Sequence, residues 1–394
     1  MPGVHAPIAL SSLALTVACN ASVQLQASVP EPPETDEEAE GTAAHLVAMQ
    51  AAAGRPMSMG SQFESGGKAW TVDADMFNGA NRYVQALGGP NGYLRLEDPV
   101  RASRIHPVHC WGTPDAWLSL SFKDWAKAVG PEVSAPFIAQ GFTNVVRVGD
   151  YKYGHRFVEV FENFQLIGYA IAVLERLELN DTETLLELIL VQPRSYHREG
   201  YVRIWLVRAS DVRALVNLAF TAAHAALAPN STATTGKHCI DCKARHVCAT
   251  FKQSVASIVD YSGTAELAPL DAQAMGAELR LLDAAKQRLE ARRTGLAVAV
   301  EAELRKGQRV PGYELAPGRS RLTWLPGTTP DELATAMQAL GVNIRKPLDV
   351  MTPTQAIDAG IAEAIVKMYA DRPPAPLVVK PISTTDVTKA FAKG

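Results

Sequence analysis

The chain has 394 residues, 47% of them hydrophobic and 20% charged, which excludes a disordered or fibrous protein and leaves room for two or three folded domains. Its 38 basic and 41 acidic residues give a net charge of −3, so no overall basic surface exists to hold nucleic acid and any such contact has to be local. Five cysteines, three of them in one short stretch, exclude a secreted disulfide framework.

The first segment, IALSSLALTVACN (8–20), is apolar and ends near a cysteine, as a lipoprotein signal does. No Lys or Arg precedes it, however, and Thr16 stands three positions before Cys19 where a large aliphatic residue is usual. No run reaches transmembrane length, so the expectation is a cytoplasmic protein with no membrane partner. Residues 20–36 are Pro-rich and acidic and read as a connector. DEEAEGTAAHLVAMQAAAG (36–54) has helix-forming composition, with Thr35 or Asp36 as N-cap and Gly54 as stop. Residues 55–100 carry Gly and Asn clusters around short periodic pieces and yield no clear element.

From there the pattern sharpens. HCWGTPDAWLSLSF (109–122) alternates like a half-buried strand after a turn, and TNVVRVGDYKYG (143–154) is a second strand. FENFQLIGYAIAVLERLEL (161–179) has helical periodicity. LLELILVQP (185–193) and YVRIWLVR (201–208) are further strands, followed by the helix SDVRALVNLAFTAAHAALA (210–228). Strands and helices in this order predict a mixed α/β core. KHCIDCKARHVCATF (237–251) comes next, then a long helical pattern over 266–306 and a Gly/Pro-punctuated hairpin over 307–324. The expected domains are 1–255, 256–325 and a small helical region with a tail over 326–394.

Asp150 and Lys152 are two apart on a strand, so their side chains share a face. Asp115 stands at the preceding predicted strand. Were those strands neighbours, two carboxylates and an ammonium would meet: hard oxygen ligands for Mg²⁺ or Mn²⁺, with a lysine to orient and help deprotonate a water. The plainer alternative is a turn-capping Asp115 and a surface pair of Asp150 with Lys152.

These residues resemble the PD-(D/E)XK nuclease superfamily in its RecB-like branch. The branch pattern is an upstream helical histidine, then GxxD, DxK and QxxxY, and this sequence has all four in order: EGTAAH with His45, GTPD with Asp115, GDYKYG with Asp150 and Lys152, and QLIGY with Gln165 and Tyr169. The resemblance implies a restriction-endonuclease-like core, a mixed central sheet flanked by helices, with a helical C-terminal extension. It implies His45, Asp115, Asp150 and the Tyr151 carbonyl as metal ligands, Lys152 as the catalytic lysine, and Gln165 and Tyr169 as supports of the site. Glu40 is a weaker candidate. A lone histidine on an Ala-rich helix is otherwise a packing residue.

The cysteines follow the same resemblance. AddB and the CRISPR-adaptation nucleases carry one cysteine before the nuclease motifs and three after them in CxxCxxxxxC spacing, holding a [4Fe–4S] cluster. Cys19, Cys239, Cys242 and Cys248 match that pattern. Cys110, His238 and His246 compete as fourth ligand, and a Cys₃His zinc site is the alternative. Further likeness over roughly residues 10–325 is to a phage and prophage RecB-like family.

The implied activity is a metal-dependent DNA exonuclease resecting ends in phage recombination or DNA processing, with DNA and a single-strand annealing protein as partners and room for an oligomer. The alternatives are an inactive cluster-bearing DNA-binding or assembly factor, and a zinc-stabilised nuclease with endonuclease or single-strand preference. Arg147, Arg156, Arg194 and Arg198 are the phosphate-contact candidates, and Trp125 or Tyr196 could stack on a base, although core packing is the commoner role for either ring.

Overall fold

The structure is a computed structural model that describes residues 6–32, 34–89, 93–195, 199–263, 272–313, 315 and 364. Contacts divide the chain into residues 1–310 and residues 311–394. Strands are β1 Ile8–Ala9, β2 Gln62–Ser65, β3 Lys68–Thr71, β4 Arg95–Leu96, β5 Val100–Arg101, β6 Cys110–Gly112, β7 Ala116–Ser121, β8 Asn144–Tyr151, β9 Thr184–Val191 and β10 Val202–Arg208. Helices are α1 Leu13–Ala18, α2 Ser22–Ala27, α3 Asp36–Ala52, α4 Ala74–Leu87, α5 Phe122–Val129, α6 Pro131–Ser134, α7 Phe164–Arg176, α8 Arg213–Leu227, α9 Ala249–Gly263 and α10 Ala272–Arg305.

The architecture is mixed α/β. Five strands in the order β10-β9-β8-β7-β4 form the main sheet. The β8–β9 pair is parallel and the other three pairs are antiparallel. A parallel neighbour needs a crossover, and α7 between β8 and β9 supplies it. Every residue of β9 is buried, which is why TLLELILV is a nearly unbroken apolar run rather than an alternating one. One face of the sheet, with Val146, Val148, Leu186 and Leu188, packs with α7 and α8 residues such as Ile171 and Val216. The other, with Tyr151, Ile189 and Val191, packs with α3 and α4 residues such as Val47, Met76 and Tyr83.

Helix α7 is apolar almost all round because it is covered twice, by the sheet and by the N-terminal segment. A Cβ on Gly168 would come within 2.7 Å of Leu10 Cδ2 and 3.2 Å of Leu13 Cδ2, so glycine is what admits that close approach. Residues 8–19 therefore belong to the core, with Ile8, Leu10 and Leu13 fully buried. Helix α3 starts at a reciprocal cap: Thr35 Oγ1 accepts from Glu38 N–H at 3.2 Å, and Glu38 Oε2 accepts from Thr35 N–H at 2.8 Å.

The structure departs from the sequence reading in three places. Residues 22–27, expected within a connector, form α2, because Gln24 Nε2 donates to the carbonyls of Ala226 and Ala228 at 2.9 and 2.7 Å. Residues 55–100 hold the β2–β3 hairpin, α4 and two short strands. A further helix, α9, precedes the long helix where the sequence reading assigned no element; α10 is described from Ala272, and residues 264–271 lie outside the described residues. Most of the 307–324 hairpin and of 326–394 lies outside the described residues. Among the described residues no helix is long and apolar enough to cross a membrane.

Candidate active site

Asp150 is the centre of the predicted constellation. It is 1% exposed, near the end of β8. Its Oδ1 accepts from Lys152 Nζ at 3.1 Å and from Gln165 Nε2, on the first turn of α7, at 2.8 Å. Its Oδ2 is buried with no hydrogen-bond partner. Buried carboxylate oxygens are ordinarily satisfied, so the bare Oδ2 stands out as a donor atom not used within the fold.

Asp115 follows the β6–β7 bend, and the β7–β8 register of Ala116 with Gly149 carries it beside Asp150. Its Oδ2 accepts from the Tyr151 N–H at 2.7 Å. Burial, then the charge of Asp150, raises the Asp115 carboxyl to about 6 against the opposing pull of His45, that N–H and Lys152. Burial pulls the Lys152 ammonium down, but the Asp150 and Asp115 charges and the hydrogen bond to Asp150 outweigh it, and the net shift is upward. Lys152 is thus an ammonium at neutral pH. Tyr169 is buried one turn beyond Gln165, and burial with the two aspartate charges pushes its phenol upward.

His45 reaches the same place from α3. Its Nδ1 is 3.7 Å from Asp115 Oδ2 and its Nε2 is 3.3 Å from Glu97 Oε1. Glu97 is a site residue the sequence reading missed. It lies in the stretch that gave no clear element, and only the β4–β7 pairing carries it there. Glu40, on the same helix as His45, turns elsewhere and forms a two-point ion pair with Arg194 at 2.8 and 2.9 Å.

No three His, Cys, Asp or Glu side chains among the described residues already stand at the spacing of a single bound ion. That spacing suits a caged ion, whereas Mg²⁺ keeps several waters and is commonly held by one or two carboxylates. The bare Asp150 Oδ2 beside the raised Asp115 carboxyl is the better guide to the chemistry of this donor set, and it fits a hard divalent cation.

The arginines fare differently. Arg147 is corrected: it is 6% exposed, with Nε 2.6 Å from Glu187 Oε2 and Nη1 donating to the Leu87 carbonyl at 2.7 Å. Its side chain alternates away from Asp150 into the core, so it is not a phosphate contact. Arg194 is mostly buried over the Tyr153 ring, its centroid 4.1 Å away, besides its pair with Glu40. Arg156 is exposed and pairs with Asp241 at 2.7 and 3.1 Å. Trp125 is also corrected: it is fully buried and donates to Glu187 Oε2 at 3.0 Å, so no base can stack on it. Arg198 and Tyr196 lie outside the described residues.

The four named cysteines come to one place, although no three of them stand at the spacing of a single bound ion. Cys19, Cys239, Cys242 and Cys248 line one small space, with His238, Arg245 and Phe251 also on its wall. Burial first, then the neighbouring thiols, pushes Cys242 up to about 11, and burial raises Cys239 as well. Of the rival ligands, His246 is not on that wall, and Cys110 sits in the main core, its thiol pushed up to about 12 by burial. His238 is on the wall, with Nε2 3.1 Å from the Thr234 carbonyl. Arg245 ties the cysteine loop to α10 by donating to the Ala291 carbonyl at 3.0 Å, and Arg292 donates back to the Arg245 carbonyl at 2.8 Å.

No curated protein matches the chain. A family model described as "Protein of unknown function (DUF2800)" matches residues 137–376, a stretch that holds Asp150, Lys152, Gln165, Tyr169 and the three clustered cysteines but begins after His45, Asp115 and Cys19. That match spans more than half of the chain, and the chain belongs to this family.

Proposed function

We propose that the chain is a metal-dependent deoxyribonuclease of the PD-(D/E)XK superfamily, RecB-like in type, hydrolysing phosphodiester bonds at DNA ends. One observation carries the reading. Asp150 has one oxygen held by Lys152 and Gln165 and the other buried and bare, next to a second, partly buried carboxylate, Asp115. Two neighbouring carboxylates with one oxygen free of hydrogen bonds make a donor set that suits a hard divalent cation.

The ligands would be Asp115, Asp150, the Tyr151 carbonyl and His45. A Mg²⁺ or Mn²⁺ bound there supplies Lewis acidity at a phosphoryl oxygen and a more acidic water. The protein's own groups do the rest. Gln165 fixes the rotation of the Asp150 carboxylate. Lys152, held as an ammonium by both aspartates, offers N–H donors to the attacking water and to charge developing on the phosphate. Tyr169 backs Gln165 through the adjacent turn of α7.

The four cysteines support a [4Fe–4S] cluster in this reading. Thiolate ligands would close the chain between Cys19 and the 239–248 loop, restricting the unfolded state of everything between them. Work at DNA ends, an exonuclease role in phage recombination or processing, and a single-strand annealing partner rest on the resemblance of the motifs.

Purification without oxygen, with iron and zinc measured per chain, tests the cluster. Digestion of linear DNA with Mg²⁺ or Mn²⁺ tests the nuclease. Four irons per chain and metal-dependent loss of DNA support the reading. One zinc per chain removes the cluster, and DNA binding without cutting under any metal removes the nuclease.

A further inference from the structure

His45 stands between two carboxylates, and its two ring nitrogens are used differently. Nε2 is 3.3 Å from Glu97 Oε1, a hydrogen-bond distance, whereas Nδ1 is 3.7 Å from Asp115 Oδ2, beyond one. Asp115 Oδ2 already accepts the Tyr151 N–H at 2.7 Å. A neutral imidazole that donates Nε2–H to Glu97 turns the Nδ1 lone pair toward an oxygen that is itself an acceptor. Two lone pairs facing each other across a gap leave room for a cation, and the bare oxygen of Asp150 is in the same centre.

Glu97 is held for this task by its backbone. Its φ is 47°, the left-handed region that a glutamate rarely adopts. Its N–H donates to the Asp115 carbonyl at 3.1 Å, where the β4–β7 ladder ends at Leu96 and Ala116. One residue thus binds the main chain of one candidate ligand and the side chain of another. Its carboxylate is 60% exposed, so burial does not dictate where it points. Strained backbone of this kind collects at functional sites, where the surroundings enforce it.

We infer that Glu97 is the positioning residue of the metal centre: its carboxylate accepts the His45 Nε2–H and so fixes the tautomer and ring angle that present Nδ1 to a divalent cation shared with Asp115. The inference rests on the nuclease reading of His45. Metal-binding histidines ordinarily donate their second N–H to a carboxylate or carbonyl, which sets the tautomer and raises ligand basicity. The competing arrangement is a protonated His45 bridging Glu97 and Asp115 as a plain ion pair.

The test is Mn²⁺ binding to the full chain, followed by the electron paramagnetic resonance signal of free Mn²⁺, with melting of the metal-free protein as a folding control. Glu97→Asn removes the reach of the carboxylate while tolerating the left-handed backbone, and Glu97→Gln keeps an acceptor at the same length. Glu97→Asn is expected to weaken Mn²⁺ binding about 10- to 100-fold, the range for losing such a partner. Glu97→Gln should recover most of that, and His45→Ala should make the Asn change silent.

Binding within twofold of wild type in Glu97→Asn overturns the inference, as does a full further loss when Glu97→Asn is added to His45→Ala, which would make Glu97 a ligand in its own right. Wild type that binds no Mn²⁺, or Asp150→Asn that binds like wild type, overturns the nuclease metal site itself and this inference with it.

Discussion

Gln165 reaches from the first turn of α7 to donate to Asp150 Oδ1 at 2.8 Å, and the other oxygen of that carboxylate is buried without a partner. The glutamine therefore sets the direction in which Asp150 offers its free lone pairs. Lys152 on the same oxygen holds the charge but, on a flexible stem, does less to fix the plane. The orientation of this carboxylate is thus decided by a residue on a different element.

Replacing Gln165 by Leu tests this relationship. Loss of an oriented partner is expected to lower metal-dependent cleavage by about 10- to 100-fold. The lost hydrogen bond to a charged group costs about 1.5–3 kcal/mol of stability, read by urea unfolding. Unchanged cleavage in Gln165→Leu would separate Asp150 orientation from activity.

The Asp115 carboxyl gives a pH dependence with a definite sign. Its folded value is about 6 against an ordinary 3.8, so the native state keeps the proton over a range where the unfolded chain has lost it. The resulting stabilisation is complete below the ordinary value and is lost as pH rises through about 6. Metal-free wild type compared with Asp115→Asn should therefore lose relative stability between these limits, at most about 1.4 kcal/mol per pH unit. Saturating Mn²⁺ should reverse the trend, because the cation competes with the proton. Urea titrations at several pH values, with and without Mn²⁺, check both.

The pair of Arg147 with Glu187, both nearly buried and completed by the Trp125 N–H, is a core device rather than a DNA contact. Arg147→Ala strands a buried carboxylate and should cost about 3–5 kcal/mol. Arg147→Met combined with Glu187→Gln, which keeps an acceptor for the Trp125 N–H without a buried charge, should recover most of that stability. The salt dependence of DNA binding, which counts neutralised phosphates, should be the same in the double variant as in wild type.

Cys19 and Cys110 are both buried, yet they should behave oppositely. Cys19→Ser removes a wall of the four-cysteine space and should lower iron content and melting temperature together. Cys110→Ser places a hydroxyl in the main core at a cost of about 1–3 kcal/mol and should leave iron content unchanged. Elemental analysis with thermal melting on both variants decides it.

What could be seen in the sequence was whatever local pattern encodes. Strands β7, β8 and β10, helix α7 and the shared face of Asp150 and Lys152 follow from periodicity, because alternation and helical spacing reflect burial directly, whereas β9 follows from its unbroken apolar run and α3 from its composition and caps. Ordered motifs singled out His45, Asp115 and Gln165, and the structure places Gln165 on Asp150, Asp115 on the Tyr151 N–H next to it, and His45 beside Asp115. Cys19 was identified by likeness, and its meeting with Cys239, Cys242 and Cys248 depends on α1 and α2 packing at the far end of the chain.

The misses share a cause. Glu97, α2 and the inward turn of Arg147 are fixed by tertiary pairing: a two-residue strand on β7, a glutamine on two distant carbonyls, and a buried partner on β9. None leaves a periodic trace. An arginine in an apolar strand looks the same in sequence whether it faces water or a buried glutamate.

The most direct test of the central claim is digestion of linear duplex DNA labelled separately at each end, with Mg²⁺ or Mn²⁺, by anaerobically purified wild type and Asp150→Ala. The account predicts metal-dependent loss of label from one end by wild type and none by the variant. Equal digestion by both proteins, or DNA binding by wild type with no cleavage in either metal, would contradict it.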